Sequence, residues 1–307
     1  MLVYIALIVG CLLLYKGGDW LLEGVIDFGN HMGWPKAITG LLLVSLGTSA
    51  PELFVSLGAA AQGEGAMAAG NVLGSNIINI AIVLGLAASV AVLHVERVLQ
   101  NQLIALLVIS VVTAGALWDG QVTRLEGLLL IIILCVSFAF AFRSNHKTSK
   151  AGNIPPDKPE RSVKLSTLLT VGGIITLLVG AEAMIWGGIE LAKQLNIPTS
   201  VVALTVTALG TSLPEIAATI VAMTRRESEL AIGNVIGSNL MNLGLVLGLS
   251  ALIVPLEQID IDTLSTGFFL GLTLFVFIMG YHFKRFARWT GALLIVSYVG
   301  YVVALLA

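Results

Sequence analysis

The sequence predicts an all-α integral membrane protein, with about ten transmembrane helices arranged as two inverted-topology five-helix repeats. Three observations predict it. Of the 307 residues, 57% are hydrophobic and 11% charged, and the mean hydropathy is +0.98. Soluble domains carry roughly a quarter charged residues, so little of this chain lies outside a bilayer. Apolar stretches of spanning length recur along the whole chain, and the second half repeats the first. The net charge of −2, with no basic block, excludes an electrostatic case for nucleic acid.

Taken in order, apolar stretches cut at polar or Gly/Pro punctuation place spans near 2–28, 35–61, 66–92, 99–117 and 124–143, then 164–192, 198–224, 229–254, 262–281 and 288–306. Met1 to Leu14 is apolar enough for a signal-peptide core. It lacks a basic leader and an A-x-A-like cleavage site and has an internal counterpart, so it reads as the first transmembrane helix. Residues 144–163 carry Pro155, Pro156 and Pro159 with mixed charges and form the linker between halves 1–143 and 164–307. Cys11 and Cys135 sit in apolar spans without metal-type spacing and read as core residues, not as a disulfide framework.

Adding 163 to a residue number carries the first half onto the second. Asp19 falls on Glu182, Asp27 on Glu190, Pro35 on Pro198, Glu52 on Glu215, Ser75 on Ser238 and Asn79 on Asn242. About half the positions from Leu46 to Leu86 are identical in the copy. Five spans per half is odd, so the copies enter the membrane in opposite senses, the construction of secondary transporters with a site at the repeat interface. With an external N-terminus, Lys36, Arg97, Arg143, Lys164, Arg225, Arg226, Lys284, Arg285 and Arg288 fall on the cytoplasmic side with the linker, and both termini are external. Glu64, Asp119, Glu257, Asp260 and Asp262 fall outside.

The chemistry concentrates in two polar hexads inside apolar spans, Gly47-Thr48-Ser49-Ala50-Pro51-Glu52 and Gly210-Thr211-Ser212-Leu213-Pro214-Glu215. A glutamate at bilayer depth costs at least about 2.5 kcal/mol, and these spans offer no lysine or arginine partner. Each proline lacks an N–H and crowds the carbonyl four residues back, so the span kinks or breaks there and frees backbone oxygens. Thr48 and Glu52, spaced i,i+4, share a face with those carbonyls. Carboxylate, hydroxyl and carbonyl oxygens suit hard cations such as Ca²⁺ and Na⁺, whereas Zn²⁺ would call for histidine or cysteine. A proline-kinked span with a protonated glutamate is the structural alternative; two hexads in antisymmetric positions argue against it.

A second repeated motif is Gly70-Asn71-Val72-Leu73-Gly74-Ser75-Asn76-Ile77-Ile78-Asn79, matched by Gly233 to Asn242. The small-xxx-small glycines suit close helix approach. Asn71, Ser75 and Asn79 form a polar stripe that packing does not require; facing the hexads, it completes an oxygen-lined site.

The paired motifs, most specific over 45–86 and 208–249, resemble the alpha repeats of the sodium/calcium exchanger family within the calcium:cation antiporter superfamily. The resemblance implies a ten-helix inverted-repeat antiporter, not an enzyme, that binds Ca²⁺ and Na⁺ alternately at one central cluster without a cofactor. The implied ligand positions fall on Glu52 and Glu215, Thr48 and Thr211, Ser49 and Ser212, Ser75 and Ser238, and Asn79 and Asn242, with backbone carbonyls near Ser45 and Ala208. Some relatives carry aspartate where this chain has Asn242, which leans the resemblance toward potassium-independent exchange. It also implies that the first and sixth helices slide across the core.

Charge balance agrees with exchange. Two carboxylates neutralise one Ca²⁺ or two Na⁺, and a shared pair makes the two loads mutually exclusive. A third Na⁺ would make exchange electrogenic. The rival on the same fold is a Ca²⁺ or other divalent cation/H⁺ antiporter. A cation channel would not need the inverted symmetry, and no protease-like arrangement occurs in the spans. Asp19, Glu23 and Asp27 read as a solvated or interfacial stripe near the end of a long tilted helix rather than as an ion-entry pathway, and His31, His94, His146 and His282 are not read as ligands.

Overall fold

The computed structural model describes residues 2–149, 160–195 and 208–306, and the described residues are overwhelmingly helical. The helices are α1 (Leu2–Met32), α2 (Lys36–Thr48), α3 (Ala50–Ala61), α4 (Gly65–Val90), α5 (Arg97–Ala116) and α6 (Arg124–Ser149) in the first half. The second half has α7 (Val163–Gln194), α8 (Ala208–Thr211), α9 (Leu213–Thr224), α10 (Ser228–Ile253), α11 (Thr263–His282) and α12 (Arg288–Leu306). Among the described residues eight helices are long and apolar enough to span a bilayer, and nine if α2 and α3 count as one bent span. The tenth expected span contains α8 and α9; its predicted start, 198–207, lies outside the described residues.

Helix ends match the sequence reading within a few residues. α1 runs on to Met32 and α6 to Ser149, so helix continues into the predicted linker, and 150–159 lie outside the described residues.

Contacts at helix ends fix the topology. On one side of the membrane the His31 ring meets the Arg161 carbonyl, Lys36 pairs with Glu227, and Leu93–His94 (β1) pairs antiparallel with Arg285–Phe286 (β2). That face carries Glu160 to Ser162 at the start of α7 and is termed the linker side. On the opposite side Val122 bridges to Leu256.

The two halves interlock crosswise. α6 packs on α10, and α12 packs on α4. Both crossings are glycine-on-glycine: a Cβ on Gly127 would lie 2.6 Å from the Gly248 carbonyl, and one on Gly291 would lie 2.5 Å from that of Gly85. α4 and α10 form the centre, with nearly four-fifths of each span buried; α1 and α7 lie against each other at the periphery. A membrane interior offers no hydrophobic drive between helices, so such close backbone approach carries much of the cohesion. Gly233 and Gly237 show the same use: a Cβ on Gly237 would lie within 2.6 Å of the Ser45 hydroxyl and closer still to the Leu41 carbonyl.

The cysteines correct the sequence reading. Cys11 and Cys135 are free and exposed on the lipid-facing surface rather than in the core. Each lies on a peripheral helix, where apolar sequence reflects contact with lipid as much as burial.

Candidate functional site

Both hexads break their helices as the prolines require. α2 and α3 meet at Ser49 with a bend of 46°, and Pro51 occupies the first turn of α3, where a missing N–H costs nothing. Ser212 and Pro214 play the same parts between α8 and α9. Around the break the Ser45 carbonyl accepts the Ser49 N–H at 2.9 Å and the Thr48 hydroxyl at 3.4 Å.

The breaks carry both carboxylates into the middle of the protein, where Glu52 and Glu215 have no solvent exposure. Each is held by the opposite half: Ser49 donates to Glu215 Oε1 at 3.1 Å, and Ser212 donates to Glu52 Oε1 at 3.4 Å. Thr48 lies 3.4 Å from the Ser238 hydroxyl and donates to Asn234 Oδ1 at 3.3 Å. Ser75 lies beside Glu52, and Ser238 beside Glu215. Ser45, Ser75, Ser238, Asn79 and Asn242 are likewise buried, Thr211 closes α8 within the protein, and Ala208 is the first described residue of that helix.

Four of the expected ligand residues have a buried oxygen without a hydrogen-bond partner: Glu52 Oε2, Glu215 Oε2, Asn79 Oδ1 and Asn242 Oδ1. A buried polar atom without a partner costs about 1–3 kcal/mol, and such atoms are rare enough to demand an explanation. Among the described residues no group of three or more His, Cys, Asp or Glu is placed to hold a metal ion, and the acidic side chains at this site are Glu52 and Glu215.

Sequence reasoning missed three features. Asn79 and Asn242 each open a turn of π-helix, Asn79–Leu84 and Asn242–Leu247, which widens α4 and α10 at the site. The π turn of α10 packs on α3, and that of α4 on α9, so each asparagine faces the other half's hexad helix. Asn71 and Asn234 are brackets: Asn71 donates to Ser56 at 3.0 Å and the Glu52 carbonyl at 3.4 Å, and Asn234 donates to Thr219 at 3.1 Å. Ser56 and Thr219 follow the glutamates by four residues in both halves, a coincidence the repeat alignment already contained. Finally, the acidic stripe Asp19, Glu23 and Asp27 at the end of α1 has partners the sequence did not show: Arg225 and Arg161 pair with it.

An inverted repeat of membrane helices whose two broken spans bring one buried carboxylate each to a common centre is the construction of a secondary transporter for cations. Residues 2–143 and 165–307 match the family described as sodium/calcium exchanger protein, and the chain belongs to that family of membrane transporters. It is 36% identical to the inner membrane protein YrbG of Escherichia coli over 82% of this chain and 80% of that protein. It is 28% identical to the sodium/calcium exchanger MaX1 of Methanosarcina acetivorans over 98% of each. A solved structure of the sodium-calcium exchanger NCX_Mj superposes with a TM-score of 0.85, 28% identity and 99% of both chains covered.

Proposed function

We propose that this protein exchanges Na⁺ for Ca²⁺ across a cell membrane by alternating access at the site between the two hexads. The observation that carries the proposal is the buried pair Glu52 and Glu215, each keeping one oxygen without a donor. A divalent cation between them would be neutralised by two charges. Thr48, Thr211, Ser49, Ser212, Ser75, Ser238, Asn79 and Asn242, with carbonyls near Ser45 and Ala208, offer more further oxygens than the six to eight ligands one Ca²⁺ takes, so a single Ca²⁺ would use a subset of them. Two Na⁺ carry the same charge and compete for the same oxygens, which couples the flows. The names of the relatives support this choice of ions. The distribution of lysine and arginine supports a cytoplasmic linker and external termini, in an inner membrane.

The test is Ca²⁺ uptake into proteoliposomes under an imposed Na⁺ gradient and, separately, under a pH gradient. Uptake that follows Na⁺ and saturates supports the proposal. Uptake driven by protons and indifferent to Na⁺ overturns it in favour of divalent cation/H⁺ exchange, and flux without a counter-ion makes the protein a channel.

A further inference from the structure

Outside the central site the densest cluster of charge lies where α1 meets α9 on the linker side. Arg225, at the end of α9, donates through Nη2 to Asp19 and, at 3.0 Å, to Glu23 Oε1. Arg161 takes the other oxygen of Glu23 at 3.0 Å and Asp27 at 3.0 Å. The Glu160 N–H adds a bond to Asp27 at 3.1 Å. Each arginine therefore clasps two carboxylates one helical turn apart, and Glu23 belongs to both.

Beneath these pairs α1 is seated on α9: a Cβ on Gly18 would lie 3.2 Å from Val221 Cγ2. The inverted repeat maps this interface onto Ala181 of α7 against Gly58 of α3, on the opposite side of the membrane. That interface is not seated in the same way. α7 has no contact with α3 comparable to that of α1 with α9, and among the described residues nothing lies within 4 Å of a Cβ placed on Gly58. Two halves of one design thus stand in different states, and the symmetry implies a swapped conformation in which α7 closes on α3 and α1 leaves α9.

The charges break that symmetry. Arg225 maps onto Gln62, Glu23 onto Trp186, and Asp19 onto Glu182, which is exposed. The swapped conformation therefore loses the Arg225 pairs and has no equivalent cation to replace them. We propose that Arg225 is a one-sided latch: by holding Asp19 and Glu23 it keeps α1 on α9 and biases the protein toward the conformation closed on the linker side. Its effect on transport rests on the exchange reading above; its effect on conformation does not.

The pairs are partly exposed, so the bias is about fivefold and weakens with salt. The test uses the full chain in lipid nanodiscs, with Cys11→Ser and Cys135→Ser and spin labels at Met32→Cys and Thr224→Cys, the ends of α1 and α9. Arg225→Gln, which installs the residue of the symmetry-related position, should raise the ratio of long to short distances about fivefold. The pair Asp19→Asn with Glu23→Gln should do the same, and adding Arg225→Gln to it should produce no further change. The shift should persist with Glu52→Gln, which separates the latch from the ion site. In oriented proteoliposomes Arg225→Gln should lower the half-saturating Ca²⁺ on the linker side by the same factor, because a larger fraction of molecules is competent to bind there. An unchanged distance distribution, or fully additive effects of the two sets of substitutions, would overturn the latch.

Discussion

Replacing Glu52 by Gln removes one of two charges from the centre of the protein while keeping the side chain's shape. The carboxylate is fully buried, and its Oε1 accepts from Ser212 at 3.4 Å, a bond an amide oxygen also accepts. The fold therefore loses little. A bound cation loses much more. Two unit charges about 4 Å apart interact by about 4 kcal/mol at an effective dielectric near 20, and a divalent ion doubles that to roughly 8 kcal/mol. If the amide dipole and rehydration recover about half, the remaining ~4 kcal/mol weakens Ca²⁺ binding about a thousandfold, while Na⁺ loses about thirtyfold. Na⁺-driven Ca²⁺ uptake should fall to background, and the rise in melting temperature on adding Ca²⁺ should vanish, with the ion-free melting temperature kept within a few degrees. Glu215→Gln should behave alike, since Ser49 holds Glu215 in the same way at 3.1 Å. Wild-type Ca²⁺ flux in either variant would refute the reasoning.

Three further outcomes follow from the same structure. Asn234→Ala strips a partner from Thr48 and Thr219 inside the protein, at about 1–3 kcal/mol, and should raise the half-saturating Ca²⁺ concentration more than it lowers the melting temperature; an unaltered concentration dependence of uptake would count against the bracket. Gly237→Ala drives a methyl into the Leu41 carbonyl and should cost well over 1 kcal/mol, read as lower detergent stability, whereas Gly271→Ala, with open space among the described residues, should be neutral or slightly stabilising. Partial burial and the neighbouring Glu229 push the Glu96 carboxyl from its ordinary 4.5 up to about 7. The folded protein holds that proton more tightly than the unfolded chain, so this contribution is full below about pH 4.5 and is lost as pH rises through 7. Glu96→Gln should flatten the decline in stability between pH 5 and 8, followed by melting temperature, by no more than about 1 kcal/mol, since the group is partly exposed.

Much of the protein was legible in its residues. Spans must be apolar and long, and a repeat offset of 163 survives in the sequence whatever the packing. Prolines at Pro51 and Pro214 break helices through a local clash, and a glutamate between apolar flanks advertises its own cost. These are local or one-dimensional constraints, and they determined the helical class, the inverted repeat and the two carboxylates.

Other features needed the third dimension. Glu52 is bonded by Ser212 and Glu215 by Ser49, partners 160 and 166 residues away. The π turns at Asn79 and Asn242 leave no mark in hydropathy, because a one-residue change in helical winding preserves composition. The acidic stripe on α1 was visible, but not its partners, since Arg225 and Arg161 reach it only when α9 and the start of α7 fold against α1. Lipid and protein interior select the same apolar residues, so only the tertiary structure could tell that Cys11 and Cys135 face outward. Spacing along the chain determined which residues could meet a cation; crosswise packing of the two halves decided which ones stand together.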